Sequence, residues 1–195
     1  MIVYFLIDTS GSMEGAKIGA LNDAMTNILT ELRDVGDEQL SVAVLQFSKT
    51  VRWMTEKPRP VSSFEWVPLE ANGMTAMGQA CIELAKCFVD DPVSNKDTIV
   101  VLISDGYPTD DFDEGIDTLM STLSFQSCKR YAVAVEGADI SARTRFTGDA
   151  SSVYSVSNLN DLTSILSDMM PVAVNDTNRV TDDVADKDED DDEWA

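Results

Sequence analysis

Two runs of strand length, residues 2–7 and 97–103, the second apolar from Ile99 on, each give way to a polar cluster that carries an aspartate, Asp8 after the first and Asp105 after the second. A strand that is apolar on both faces must be covered on both, which is the situation of a parallel sheet clothed in helices. The remaining pattern agrees. Strand-like runs at 40–47, 51–54, 130–135 and 152–156 alternate with helical stretches. Ile18, Leu21, Met25, Ile28, Leu29 and Leu32 share one helical face that Gly36 would end, and further helices are expected over 74–89, 112–123, 140–146 and 159–169. Loop signals fill 57–73, with Pro58, Pro60, Pro68 and Asn72-Gly73. Strands alternating with helices need crossover connections, and these make neighbouring strands parallel. The predicted fold is α/β, a doubly wound three-layer sandwich of Rossmann-like type. Its mostly parallel six-stranded sheet has five parallel strands and one antiparallel edge strand, closed by a turn near Ser48-Lys49.

Composition narrows the function. The 195 residues carry 35 acidic and 14 basic side chains, a net charge of −21, so neither nucleic acid nor an anionic membrane is an expected partner. Histidine is absent, which removes the commonest general base and zinc ligand. Residues 176–195 hold ten acids and two bases, a self-repelling composition with little to bury. One domain over 1–171 and an acidic, disordered tail over 172–195 are therefore expected. Cys81, Cys87 and Cys128 have no metal-type spacing and read as thiols in a reducing compartment. The N-terminal apolar run is too short for a membrane helix and has no basic segment before it, so a cytoplasmic location is expected. Trp53 and Trp66 are expected to cover the sheet edge.

In a doubly wound sheet, the loops beyond the carboxyl ends of the central strands build the site. Asp8 and Asp105 would meet there and repel unless a cation lay between them. The turn Asp8-Thr9-Ser10-Gly11-Ser12 can aim Asp8, Ser10 and Ser12 at one centre, and Thr75 opens a helix in a second loop. Such hard oxygen donors select Mg2+, or Mn2+ or Ca2+, over zinc or copper. Each residue also has a plainer reading as a helix cap or turn former. Their joint pattern favours the metal.

Asp8-x-Ser10-x-Ser12 after an apolar strand, Gly73-Met74-Thr75 some sixty residues on, and Ser104-Asp105-Gly106 after a second apolar strand resemble a von Willebrand factor A domain with its metal-ion-dependent adhesion site. The resemblance extends over residues 1–170. Within the family the segments 6–13, 73–78 and 103–110 are most similar to the bacterial, cytoplasmic, tellurite-resistance-associated (TerY-like) type. The resemblance implies a non-catalytic adaptor. Ser10, Ser12 and Thr75 would coordinate the ion directly, Asp8 and Asp105 largely through water, and an Asp or Glu of a protein partner would take the remaining position. Kinase-like and phosphatase-like operon neighbours are implied as partners, in a stress-resistance or phosphorylation-linked system. Met13, Met74, Tyr107 and Asp110, next to the ligands in sequence, are expected to face the partner. The nearest enzymatic alternative is a magnesium-dependent aspartyl phosphotransferase or phosphatase of the haloacid-dehalogenase type. It needs a second acid two residues after its nucleophile, where this chain has Ser10. No Gly-x-x-x-x-Gly-Lys-[Ser/Thr] phosphate loop occurs. A scaffold that self-associates through the acidic tail is a third possibility.

Overall fold

The structure, a computed structural model, describes residues 1–34, 39–55, 57–90, 98–135, 138–157 and 161–169. The expected tail 172–195, the helix stop at Gly36, and the expected starts at Asp97 and Leu159 lie outside the described residues. The first apolar run forms β1 (Ile2–Asp8) and the second forms β5 (Thr98–Ser104). They pair in parallel at the centre of the sheet, with Ile7 opposite Ile103. β2 (Ser41–Phe47) lies parallel on the other side of β1, while β6 (Lys129–Val135) and β7 (Val153–Val156) extend the sheet beyond β5. β3 (Val51–Trp53) folds back antiparallel on β2, giving the order β3-β2-β1-β5-β6-β7.

Among the described residues the sheet has seven strands, one more than the six expected. The addition is β4 (Arg59–Pro60), which pairs antiparallel with Ser41 and Val42 of β2 inside the proline-rich stretch read as loop. Two residues are too few to display a period, and proline is tolerated on an edge strand, where a missing N–H breaks no interior ladder.

Strand alternation divides the core into two layers. Val3, Phe5 and Ile7 of β1 point to the face covered by α1 (Ala16–Asp34) and α6 (Leu162–Met169). Tyr4 and Leu6 point to the opposite face, under α2 (Met77–Asp90), α3 (Phe112–Met120), α4 (Leu123–Ser127) and α5 (Ile140–Thr147). Trp53 packs on the second layer, edge-on to Tyr4, and Trp66 on the first. Each fully buried Leu, Ile, Val or Phe is worth roughly 1.5–3 kcal/mol of transfer free energy. Both layers are continuous, so the fold rests on them.

The path explains where the site lies. From β1 the chain crosses to β2 through α1, whereas from β5 it moves outward the other way to β6 and β7. Direction reverses between β1 and β5, and their carboxyl ends open a crevice.

Candidate functional site

Asp8 is the last residue of β1 and is wholly buried. Its Oδ1 accepts the Ser10 backbone N–H at 2.8 Å, an interaction that tightens the turn, and its Oδ2 accepts the Ser104 hydroxyl at 2.5 Å. Burial pushes the Asp8 carboxyl up from its ordinary range, and neighbouring Asp105 adds to the rise; the bonds from Ser10 and Ser104 oppose it. Ser10 and Ser12 bring their hydroxyl oxygens to 3.0 Å from one another. Ser12 donates to Asp105 Oδ1 at 2.6 Å.

Thr75 arrives from a loop that other loops hold. Gly11 N–H donates to the Gly73 carbonyl at 3.0 Å, Asn72 N–H to Thr9 O at 2.8 Å, and Ala76 N–H to Ser48 O at 2.8 Å. Thr109 grips Thr75 from both sides: its Oγ1 accepts the Thr75 N–H at 3.0 Å, and its own N–H donates to the Thr75 carbonyl at 2.9 Å. These ties explain why α2 begins at Met77 instead of near residue 74. A methyl group placed on Gly106 would lie 3.3 Å from Thr75 Oγ1 and 3.5 Å from Ser12 Oγ. Both hydroxyls therefore border one small space, and the glycine keeps it open. Asp8, Ser10, Ser12, Thr75 and Asp105 thus come together from three turns.

The four expected partner-contact residues divide. Met74 is 55% exposed and Tyr107 is 66% exposed, so both stand as apolar side chains beside the convergent oxygens. Met13 is corrected: it is 0% exposed and packs in the first core layer, because the helical turn Gly11–Met13 rotates it inward beneath Ser12. Asp110 is exposed, but its carboxylate is engaged in the fold. Its oxygens accept the Gly78 and Gln79 N–H groups at 3.0 and 2.8 Å, capping the start of α2 from another loop.

Three residues that the sequence reading passed over complete the site. Arg143 of α5 is fully buried below the carboxylates; its Nη2 donates to Ser104 Oγ at 2.7 Å and to the Gly106 carbonyl at 2.9 Å. Its Nε has no hydrogen-bond partner among the described residues. Burial lowers the guanidinium pKa, while Asp8, Asp139 and Asp105 hold it up. Lys17 places Nζ 2.5 Å from Asp105 Oδ2. Thr109 is the third. In sequence, Arg143 and Lys17 look like ordinary polar positions on amphipathic helices, and only the charge of two buried aspartates hinted that cations should accompany them.

The donor set fits a hard divalent cation. Among the described residues no three His, Cys, Asp or Glu side chains gather, so a cation here would depend on the hydroxyls as much as on the carboxylates. Because the Ser12 O–H is given to Asp105, Ser10 is the donor in its bond to Ser12, and Ser12 Oγ keeps one lone pair for an ion.

A profile described as von Willebrand factor type A domain matches residues 3–168. No curated protein matches the chain. Among solved structures, a von Willebrand factor type A protein from Catenulispora acidiphila superposes with a TM-score of 0.68 at 17% identity, covering 88% of this chain and 42% of its own. The pilus adhesin SpaC from Lactobacillus rhamnosus GG gives 0.75 at 12% identity over 90% of this chain and 31% of its own. Proximal thread matrix protein 1 from the mussel byssus, in a form with a zinc-occupied MIDAS motif, gives 0.64 at 18% identity over 88% and 45%. The chain spans less than half the length of each of these three structures. At such identities the likeness is one of fold.

Proposed function

The chain belongs to the von Willebrand factor type A domain family, and from that premise we propose that it is a divalent-metal-dependent protein-binding adaptor without catalytic activity of its own. The observation that carries the reading is the meeting of Ser10, Ser12 and Thr75 hydroxyls with Asp8 and Asp105 at the β1–β5 crevice. Ser10, Ser12 and Thr75 would hold the ion, Mg2+ or Mn2+ in the first instance, and Asp8 and Asp105 would orient hydroxyls and water around it. When bound, the ion supplies an electrophilic position for an acidic side chain of a partner. Neutral hydroxyls leave much of its charge unquenched, so Asp or Glu gains more than a neutral group does. Met74 and Tyr107 provide apolar contact beside that acid, so a carboxylate flanked by apolar residues is the favoured determinant.

Asp8 favours the adaptor over an aspartyl phosphotransferase. Both its oxygens are engaged and the side chain is buried, which suits orienting a loop and disfavours attack on a phosphate. The segments shared with the TerY-like type support a bacterial, cytoplasmic, tellurite- or stress-linked setting, with kinase-like or phosphatase-like proteins as partners. No helix among the described residues is long and apolar enough to cross a membrane.

Calorimetric titration with Mn2+ tests the proposal. The wild type should bind one ion, and Thr75→Ala and Asp105→Ala should each weaken binding at least tenfold while keeping the circular dichroism spectrum. An immobilised acidic protein partner should be retained in Mn2+ and released by EDTA. Retention that persists in EDTA, or ion binding indifferent to both substitutions, would overturn the reading.

A further inference from the structure

Lys17 sits in the first turn of α1, where the helix dipole disfavours a cation and no acidic residue of that turn compensates it. What holds it there is Asp105. The ammonium reaches Asp105 Oδ2 at 2.5 Å while Ser12 occupies Oδ1 at 2.6 Å, so both oxygens of this carboxylate are committed. The Asp105 side chain is 0% exposed and that of Lys17 27%, so solvent screens the pair poorly. Arg143 already lies beneath Asp8 and Ser104. Each of the two carboxylates is therefore already accompanied by a cation before any ion enters.

We propose that Lys17 is a built-in competitor for the metal, a tethered positive charge on Asp105 that lowers the affinity of the site for a divalent cation. This rests on the adaptor reading and adds a regulator of its site. An ion seated against Ser10, Ser12 and Thr75 would meet the ammonium across the Asp105 carboxylate. Either the lysine stays and repels the ion, or it swings into solvent and its ion pair is lost. Both routes weaken binding. The consequence is a site that fills poorly on its own and better when an acidic partner brings negative charge to offset the lysine.

The test is Mn2+ binding by the wild type, Lys17→Met and Lys17→Arg, followed by electron paramagnetic resonance of the free ion, with a thermal melt in EDTA confirming each fold. Met keeps the apolar stem and removes the charge, and affinity should rise about tenfold, equivalent to about 1.4 kcal/mol. Arg keeps the charge and should stay within about threefold of the wild type. Lys17→Gln takes the place of Lys17→Met if that variant fails to fold, with the same rise expected. Equal affinity of the wild type and the uncharged variant would sink the competitor while leaving the metal site standing. Absence of Mn2+ binding in every protein would overturn both this inference and the adaptor reading.

Discussion

At the scale of single residues, the site is an exercise in compensating buried charge. Asp8 is fully buried, and its surroundings replace water with a backbone N–H, a hydroxyl and, through Ser104, the guanidinium of Arg143. Compensation is incomplete. The folded-state pKa of Asp8 is raised above its ordinary value of 3.8, chiefly by desolvation, so the folded state holds the proton more tightly than the unfolded one. Ionised Asp8 therefore costs the metal-free protein stability above its folded pKa, and the cost disappears as pH falls through that value toward 3.8. Asp8→Asn should accordingly raise the melting temperature in EDTA at pH 7, with a gain that shrinks as the pH is lowered toward 4. A loss of stability of the same size at every pH would contradict this. The thiols respond to burial too: the Cys128 thiol is pushed up to about 12 and Cys81 is raised further, which makes both poor nucleophiles.

The elements deliver these residues through backbone contacts that leave no room for side chains. α2 and α3 meet at Gly78 and Gly115. A Cβ on Gly115 would come within 2.3 Å of the Gly78 carbonyl oxygen, and one on Gly78 within 2.3 Å of the Asp111 carbonyl oxygen. No flexible side chain lies there to give way. Gly115→Ala should thus destabilise the protein by about 1–3 kcal/mol in urea unfolding. It should also weaken Mn2+ binding, because α2 is displaced together with the Thr75 loop that precedes it. Wild-type stability and ion affinity in Gly115→Ala would show that the helices have slack. In sequence the two glycines fall inside the helices expected over 74–89 and 112–123, and nothing there shows that they face each other. The helix expected over 112–123 ends early, α3 stopping at Met120, and a second helix, α4, follows from Leu123 to Ser127. Ser121 and Thr122 cause the break by turning their hydroxyls onto the Thr118 and Leu119 carbonyls.

For the molecule as a whole, two continuous apolar layers hold the sheet independently of the crevice at its edge. Removing metal should therefore leave the far-ultraviolet circular dichroism unchanged and lower only the melting temperature. At an ion concentration of a hundred times Kd, binding adds about 2.7 kcal/mol, which for a domain of this size corresponds to about 5–10 °C. Collapse of the helical signal in EDTA would instead make the ion part of the folding core.

What the sequence determined by itself was everything written in periodicity and in consecutive residues. The two apolar runs placed β1 and β5 at the centre, the 3.6-residue face of α1 announced its buried side, and Asp8, Ser10 and Ser12 declared a shared turn because they are neighbours in the chain. Thr75 and Asp105 joined them through a recognisable family pattern, since their spacing alone leaves capping open. Tertiary structure decided what depends on groups distant in sequence. It set Lys17 on Asp105 across 88 residues and Arg143 on Ser104 across 39, and it turned Met13 inward while leaving Met74 and Tyr107 outside. Periodicity records which face of an element is apolar. It does not record which charge lies opposite another, because Coulomb attraction and hydrogen bonding act between atoms that only the completed fold brings within reach.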